Sequence, residues 1–265
     1  MVWLCASLTG LSATPTPASQ PWEKTVTTLP RGDFPNARPL AATYKFGWNG
    51  IVAAVGEVTF DHRDDYLQVV ANGQTVGLVR LLWKFDVYHS ALSNAATLRP
   101  IGLHQVETTR RKTVTTDLSF HPERVERIRR DTKSSTPPTP RTFSFPGGVF
   151  DLLSAGLYIR SQPLRNGDVY RLVVYPASSA YLATITVSDH SSIRIAAGSY
   201  PAIKLDLQLN KIGRQGELEP HKKFRHGTIW VSDDSDRMLL RIEASIFVGT
   251  VFAELQSLRF PNDRS

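Results

Sequence analysis

The sequence predicts a mainly β protein in which curved antiparallel sheets form a roll or partial barrel around one buried helix, at about residues 149–160. Alternating apolar segments of strand length, separated by turn residues, recur from Ala41 to Leu258, as in barrels and strongly curved sheets. Seventeen Gly and seventeen Pro residues fit such a turn-rich fold. Between Val149 and Ile159, apolar residues fall on nearly every side of a helix, which is typical of a helix buried in a core.

The N-terminal residues 1–18 resemble a truncated secretory signal peptide. A short apolar stretch closes in small residues and leads to Thr-Pro-Thr-Pro-Ala, with Ala13 or Ala18 as cleavage points, but no Lys or Arg precedes it. The single cysteine, Cys5, excludes an internal disulfide framework, and the bulky residues before it do not suit lipidation. We therefore expect an exported protein, periplasmic or associated with the outer membrane.

Residues 19–39 are polar and Pro-rich without any period, which predicts a disordered linker. A β-rich domain then covers 40–260. Its first hairpin is centred on Asn49-Gly50, because both positions tolerate a positive φ. In Gly77–Phe85 the apolar residues recur at helical spacing, which predicts a short helix.

Strands are expected on both sides of the central helix. Those before it are Ile51–Phe60, Tyr66–Ala71, Val87–Leu92, Gly102–Thr109, Lys112–Phe120 and Arg124–Arg130. The Pro-rich loop Asp131–Arg141 cannot join a ladder and is the one internal place for a domain boundary. The helix ends near Arg160, with Asp151 in its first turn, where a carboxylate suits the positive end of the helix dipole. The strands after it are Asp168–Tyr175, Tyr181–Ser188, Ile193–Ala197, Ala202–Leu209, Phe224–Ser232, Arg237–Ser245 and Val248–Leu258.

The order of these segments resembles the DUF3108 family, a group of exported bacterial proteins without an assigned activity. The aromatic first strand and its hinge, Tyr44–Ile51, are similar to the start of the family pattern. The helix and the turn after it match at Asp151, Leu153, Ser154, Tyr158, Arg160, Pro163, Leu164, Gly167 and Asp168. The C-terminal strands match at Trp230, Ser232, Asp233, Asp234, Gly249 and Glu254. The resemblance spans about Leu40–Leu258 and implies a β-rich roll around the helix, but it supplies no function.

Several polar residues of these motifs are candidates for ligand binding or for a structural role. Asp151 and Ser154 allow a nucleophile–acid interpretation, although a helix cap explains them better and Gly-x-Ser-x-Gly is absent. Arg160 complements the negative end of the helix dipole and could pair with Asp151, Asp168 or Asp234. The full set of candidates is Asp151, Ser154, Tyr158, Arg160, Asp168, Trp230, Asp233 and Asp234. None is assigned a catalytic role.

We expect neither a metal nor a cofactor. Asp233–Asp236 resembles the start of a calcium loop but lacks the following Gly and the distant bidentate Glu, so an Asp-capped hairpin turn is expected there. His221 and His226 are five residues apart, without a Cys or a second pair nearby to complete a zinc site.

The formal net charge is +7 and the sequence pI is about 9.6, which fits either a solvated surface or an anionic partner. Basic residues cluster in Arg110–Lys112, Arg124–Lys133 and Lys222–Arg225. Two of these clusters lie at strand ends, so a basic rim facing an anionic membrane surface is one interpretation. Nucleic-acid binding is not expected, because no recognition motif accompanies the charge.

These observations favour a non-enzymatic protein of the bacterial envelope. Its sheet would hold an apolar groove that either binds a lipophilic ligand or is filled by Leu152, Leu153, Leu157 and Tyr158. The alternative is a structural or assembly module with a filled core and a protein partner, unnamed by the sequence, at an edge strand. A hydrolase that uses Asp151, Ser154 or Arg160 is a weaker alternative.

Overall fold

The computed structural model describes residues 19–261. Within them, fifteen strands form one curved antiparallel sheet that does not close, accompanied by a 3-10 helix at Pro21–Thr25 and two α-helices, α1 (Gly77–Leu82) and α2 (Leu152–Ser161). The strands before α2 are β1 (Leu40–Trp48), β2 (Ile51–Arg63), β3 (Tyr66–Thr75), β4 (Phe85–Asn94), β5 (Pro100–Thr109), β6 (Thr113–His121), β7 (Arg124–Asp131) and β8 (Arg141–Ser144). Those after it are β9 (Val169–Val174), β10 (Tyr181–Ile195), β11 (Gly198–Ile212), β12 (Leu218–Pro220), β13 (Phe224–Ser232), β14 (Leu239–Ile246) and β15 (Gly249–Arg259).

The sheet consists of two meanders that meet at the first and last strands. The order is β8-β7-β6-β5-β4-β3-β2-β1-β15-β14-β13-β11-β10-β9, with β12 attached to β11. The β1–β15 pairing runs from Ala41 opposite Arg259 to Trp48 opposite Val251. The predicted mainly β fold, a partial barrel around a helix, is therefore confirmed.

The strand connections fall at two opposite ends of the sheet, because each strand runs antiparallel to its neighbours. One end, here called the α1 end, carries α1 and the connections at 49–50, 110–112, 132–140, 213–223 and 247–248. The other, the α2 end, carries α2 within 145–168 and the connections at 64–65, 95–99, 122–123 and 233–238. Neither α-helix of the described chain has the length and apolar character that crossing a bilayer takes.

Helix α2 is the place where the cores of the two meanders meet. Buried apolar side chains form three clusters, and Leu153 packs against two of them. Tyr158 belongs to the cluster between α2 and β9–β11, and Leu157 packs against the cluster beneath β1–β3 and β15. These residues occupy the space inside the curved sheet at the α2 end. This is one of the two possibilities that the sequence left open, the other being a groove open to a ligand. Leu152 does not take part, since it is 62% exposed on the outer side of the first turn.

The segment 19–39 is not the disordered linker that its composition predicted. Trp22 is buried and its indole Nε1 donates a hydrogen bond of 2.7 Å to the Gly216 carbonyl oxygen. Thr27 bonds the free edge of β9, donating from its backbone N–H to the Arg171 carbonyl at 2.8 Å and accepting the Arg171 N–H at its side-chain oxygen at 2.8 Å. Composition indicated a lack of regular structure, but not these contacts with the C-terminal meander.

Two short strands, β8 and β12, were not predicted from the sequence. β8 lies at the end of the predicted Pro-rich loop and pairs with β7, and β12 lies within the predicted polar loop and pairs with β11. The predicted helix at Gly77–Phe85 is confirmed as α1, although it ends at Leu82. The proposed signal peptide, with Cys5, lies outside the described residues.

Candidate functional site

Asp151 and Ser154 form a capping box at the start of α2. The Asp151 carboxylate accepts hydrogen bonds from the Leu153 and Ser154 backbone N–H groups at 2.8 and 3.1 Å. The Ser154 hydroxyl donates to the Asp151 carboxylate at 2.6 Å and accepts the Asp151 N–H at 3.1 Å. These bonds satisfy backbone donors that a helix start otherwise leaves unpaired.

The pair is also buried. Ser154 has no exposed surface and Asp151 is 1% exposed. Burial raises the pKa of Asp151 above its ordinary value, although bonds from Ser154 and the backbone act in the opposite direction. The pair therefore fixes the beginning of α2, as the cap interpretation expected.

The C-terminal end of α2 is held by two arginines that bind carbonyl oxygens. Arg160 donates from Nε and Nη2 to the Asp236 carbonyl oxygen at 3.0 and 2.8 Å, and from Nη1 to the Pro35 carbonyl oxygen. Arg237 donates to the carbonyl oxygens of Arg160 and Gln162. Arg237 therefore satisfies carbonyls that the C-terminus of α2 leaves unpaired, whereas Arg160 joins the helix end to residues outside it. Both positive charges suit the negative end of the helix dipole.

Both guanidinium groups lie over the ring of Phe34, with their central carbons 4.9 Å (Arg160) and 3.7 Å (Arg237) from its centroid. Burial lowers the pKa of Arg160 to about 10, with the neighbouring charge of Arg237 acting in the same direction. The hydrogen bonds of Arg160 go to backbone oxygens and not to the carboxylates of Asp151, Asp168 or Asp234. The negative charge of Asp234 still acts on Arg160, in the direction that raises its pKa.

The turn between β13 and β14 carries Asp233 and Asp234 to this place. Asp234 accepts hydrogen bonds from the backbone N–H groups of Asp236 and Arg237 at 2.9 and 3.0 Å, which makes it the cap of an Asp-rich turn, as predicted. The carboxylate of Asp233 lies 2.9 Å from Nδ1 of His190, whose Nε2 lies 3.0 Å from the Leu164 carbonyl oxygen. His190 thus ties the turn to the chain just after α2.

Two more of the predicted site residues, Asp168 and Tyr158, lie near the end of α2, and a third, Trp230, lies apart from it. Asp168 accepts the Arg165 N–H at 2.9 Å and the Tyr170 hydroxyl at 3.1 Å. The Tyr158 hydroxyl donates to the Leu29 carbonyl oxygen at 2.9 Å. Trp230 instead packs against the core beneath β1–β3 and β15.

We call this group the α2 clamp. Its members are Phe34, Tyr158, Arg160, Asp168, His190, Asp233, Asp234 and Arg237. Five were predicted as site residues; Phe34, His190 and Arg237 were not, and Phe34 stands more than a hundred residues before Arg160. The contacts of the clamp join the end of α2 to the segment 19–39 and to the β13–β14 turn. Among residues 19–261, no three His, Cys, Asp or Glu side chains gather as metal ligands would.

The α1 end of the sheet has a different character, because large apolar side chains are exposed there. The exposed fractions of Leu78, Leu81 and Leu82 in α1 are 78%, 66% and 86%. We call the exposed set the apolar rim. It comprises Trp48, Ile51, Val52, Leu78, Leu81, Leu82, Trp83, Phe247 and Val248.

Hydrogen bonds hold the parts of the apolar rim near one another. Trp48 donates from its indole to the Val248 carbonyl oxygen at 3.1 Å, which joins the β1–β2 and β14–β15 hairpins. The Val76 N–H, just before α1, bonds the Ala53 carbonyl oxygen of β2 at 2.9 Å. The helical spacing of Leu78, Leu81 and Leu82 was recognised from the sequence, but spacing alone does not show whether a core covers that face.

Basic side chains flank the apolar rim on both sides. A cleft of about 510 Å³ beside α1 is lined by Leu82, Trp83, Lys84, Thr109, Arg110, Arg111, Lys112 and Lys133. On the far side, the Phe247 N–H bonds the Lys223 carbonyl oxygen at 3.1 Å, which brings the basic Lys222–Arg225 segment next to the rim. Two of the three predicted basic clusters therefore lie at the same end of the sheet.

A second depression, of about 530 Å³, lies on the sheet across β1–β5. It is lined by Thr43, Val55, Gly56, Glu57, Asn72, Gly73, Gln74, Asp86, Val87, Tyr88, Val106 and Thr108. Its charged members, Glu57 and Asp86, are acidic, so it does not suit an anionic ligand.

Comparison with known proteins gives one family and a shared fold. The model of DUF3108, described as a protein of unknown function, matches residues 43–256. No curated protein matches the chain significantly. Among solved structures, a beta-barrel-like protein of the DUF1849 domain family from Brucella abortus has a TM-score of 0.60 at 8% identity, over 86% of this chain and 100% of that one. This likeness shows a common fold.

Two further structures cover the same share of this chain, 86%, and 99% of their own. One is a candidate lipoprotein from Parabacteroides distasonis, with a TM-score of 0.35 and 10% identity. The other is a candidate exported protein with a YmcC-like fold from Bacteroides fragilis, with a TM-score of 0.32 and 12% identity.

Proposed function

Because the chain belongs to the DUF3108 family, whose function is unknown, we propose from its own structure that it is a non-enzymatic exported protein of the bacterial envelope and that it binds lipid. The observation that carries this proposal is the apolar rim. Water contact with this much apolar surface at one end of a folded domain is unfavourable, and large exposed apolar patches mark sites of contact with membranes, ligands or proteins.

Lipid is the partner that this surface fits best. Tryptophan is favoured at the boundary between lipid and water, where an apolar ring and a polar N–H are both accommodated, and the rim contains Trp48 and Trp83. Leucines on the short α1 helix point away from the protein, as on interfacial helices. Basic residues on both sides suit the phosphates of lipid headgroups.

An interior groove beside the helix is a weaker place for a lipophilic ligand. Leu153, Leu157 and Tyr158 occupy the space at the α2 end of the sheet, so the groove expected from the sequence is filled there. Lipid binding in this proposal therefore uses the open α1 end. Export is supported by the leader-like composition of residues 1–18.

Vesicle flotation tests the proposal. The full chain, expressed into a bacterial periplasm and purified without detergent, is expected to float with vesicles of mixed phosphatidylethanolamine and phosphatidylglycerol. The double variant Leu81→Ser/Phe247→Ser should lose most of the floating fraction. A matched control, Ile101→Ser/Leu152→Ser, changes side chains of 42% and 62% exposure at the α2 end and should float like the unchanged protein.

A structural or assembly module is the second candidate, favoured by the packing of α2 against all three buried clusters. Its expected contact through an edge strand is less favourable, since β8 has four residues after Pro140 and β9 is covered by Thr27 and Phe150. If the unchanged protein stays at the bottom of the gradient, and native mass spectrometry finds no bound lipid, the lipid proposal is wrong and this candidate replaces it.

A further inference from the structure

We propose that the cleft beside α1 binds the phosphate of an anionic bilayer lipid, with Leu82 and Trp83 inserted among the acyl chains next to it. This inference rests on the proposed lipid binding and assigns a headgroup class and an orientation to it. The cleft of about 510 Å³ opens between α1 and the turns after β5 and β7. An apolar floor and basic walls are combined in this one place.

The charges of the cleft divide into occupied and available groups. Lys112 is paired with Asp131 at 2.6 Å. Within the described chain, the side chains of Lys84, Arg111 and Lys133 are exposed and form no salt bridge within 4.0 Å. Lys84 lies close enough to Asp86 to contribute to lowering the pKa of that carboxyl, after the larger effect of Arg80. Three exposed cations without a salt bridge around one cleft still form a place for a phosphate group.

Arg110 has a structural task in the same cleft. Its guanidinium donates to the carbonyl oxygens of Arg80 and Leu81 at the end of α1. It therefore satisfies carbonyls that the short helix leaves open and adds positive charge where the helix ends. Its role is distinct from that of the three exposed cations.

Hydrogen bonds and an ion pair hold α1 in place although its leucine side chains are exposed. Arg80 makes a bidentate pair with Asp86, at 2.6 and 3.3 Å. The buried Thr75 hydroxyl donates to the Trp83 carbonyl oxygen at 2.9 Å and accepts the Phe85 N–H at 3.1 Å. Trp83 also stacks on Phe85, with ring centroids 5.2 Å apart. A fixed backbone that points Leu82 and Trp83 outward reduces the ordering cost of insertion.

The charges of the two ends of the sheet differ, which favours an anionic partner and favours its binding at the α1 end. The connections at the α1 end carry Arg80, Lys84, Arg110, Arg111, Lys112, Lys133, Arg214, Lys222 and Lys223, with Glu217 and Glu219. Those at the α2 end carry Asp64, Asp65, Glu123, Asp151, Asp168, Asp233, Asp234 and Asp236, with Arg99, Arg160, Arg165 and Arg237. An anionic surface therefore attracts the α1 end more than the α2 end.

The test compares vesicles of phosphatidylglycerol with vesicles of phosphatidylcholine in a sedimentation assay with the full chain. The unchanged protein is expected to prefer phosphatidylglycerol. The triple variant Lys84→Ser/Arg111→Ser/Lys133→Ser should bind it roughly 100-fold more weakly, since each basic residue near an anionic surface contributes about a factor of five. Its affinity for phosphatidylcholine should be unchanged. Thermal unfolding confirms that each variant folds.

A matched control removes the same charge from the other end. The triple variant Arg63→Ser/Arg124→Ser/Arg165→Ser alters exposed arginines at the α2 end and is expected to keep the preference for phosphatidylglycerol within about threefold. If both triple variants lose the same affinity for phosphatidylglycerol, only net charge matters and the proposed phosphate site is wrong.

Two further outcomes separate this inference from the proposed function. Equal binding of both vesicle types by the unchanged protein overturns the headgroup site while lipid binding stands, whereas binding to neither overturns both. Inorganic phosphate should not displace the protein from the vesicles when it is compared with chloride at equal ionic strength. Displacement would show that free phosphate, and not a bilayer lipid, is the ligand.

Trp83→Phe should reduce the blue shift of tryptophan emission on vesicle binding.

Discussion

At the scale of single residues, the buried carboxylate of Asp151 has one observable task, which is to cap α2. Replacing it by Ala removes two hydrogen bonds to backbone N–H groups and should lower the free energy of unfolding by about 1 kcal/mol. Urea unfolding measures this loss. Leu152→Ala is the control, because Leu152 is exposed at the next position and should change the free energy of unfolding by less than about 0.5 kcal/mol. An equal loss in both variants would mean that the cap contributes nothing.

His190 gives stability a dependence on pH. The hydrogen bond to Asp233 is the largest cause that raises the pKa of His190 above its ordinary value. Its contribution to stability is therefore fully present below the ordinary pKa of about 6.5 and is lost as pH rises through the higher pKa of the folded state. Compared with His190→Gln, the unchanged protein should lose stability over this window. A proton NMR titration of the ring checks the direction, and a pKa below the ordinary value would contradict it.

Residue roles were predictable where the chemistry was local. Asp151 and Ser154 are three positions apart, so the capping box could be inferred from sequence spacing. The partners of Arg160 could not, because the Pro35 and Asp236 carbonyls and the Phe34 ring come from distant parts of the chain. Carboxylates were expected as its partners from charge alone, whereas backbone oxygens of the 19–39 segment and of the β13–β14 turn serve equally well as acceptors.

At the scale of elements, the segment 19–39 acts as a strap over α2. The Gly32 N–H donates to the Ser161 hydroxyl at 3.0 Å, and a Cβ on Gly32 would lie 2.1 Å from the Ser161 carbonyl oxygen. Gly32→Ala should therefore separate the strap from α2 and make 19–39 more sensitive to limited proteolysis. Unchanged protease resistance would show that the close approach is not required.

Gly156 is the opposite case and the matched control. It lies inside α2, where an added Cβ meets nothing within 4 Å. Gly156→Ala should raise the free energy of unfolding by about 0.5–1 kcal/mol, because glycine is a poor helix former. Chemical denaturation measures the gain, and a loss of stability would mean that α2 is constrained by something other than these contacts.

Most strands were predictable from period-two alternation, but the destination of the amphipathic elements was not. α1 and α2 were both identified from apolar content, and α2 is partly buried whereas α1 has no buried residue. The difference depends on which end of the sheet closes over a helix. Tertiary packing determines which helix is covered, and neither helix propensity nor the spacing of apolar residues predicts it.

At the scale of the whole molecule, the described chain has its first and last strands side by side. Ala41 lies opposite Arg259 in the β1–β15 pair, whereas the segment before β1 begins at the α1 end, where Trp22 bonds Gly216. A circular permutant opened in the loop 132–140, with a flexible linker long enough to run along the sheet from the last strand to the start of the segment 19–39, should fold with one cooperative transition. A chain ending before Gly249 should not, since it lacks the strand that connects the meanders. Calorimetry distinguishes them, and a cooperative transition in the truncated chain would contradict this view.

The pairing of β1 with β15 also sets an order of events during synthesis. Each meander forms from neighbours in sequence, but β1 has no partner on one side until the final strand has left the ribosome or translocon. For that whole interval an edge that includes Tyr44 and Phe46 is open to pairing with another chain. A chaperone that covers β1 until β15 has been made would protect the nascent chain at its most aggregation-prone stage.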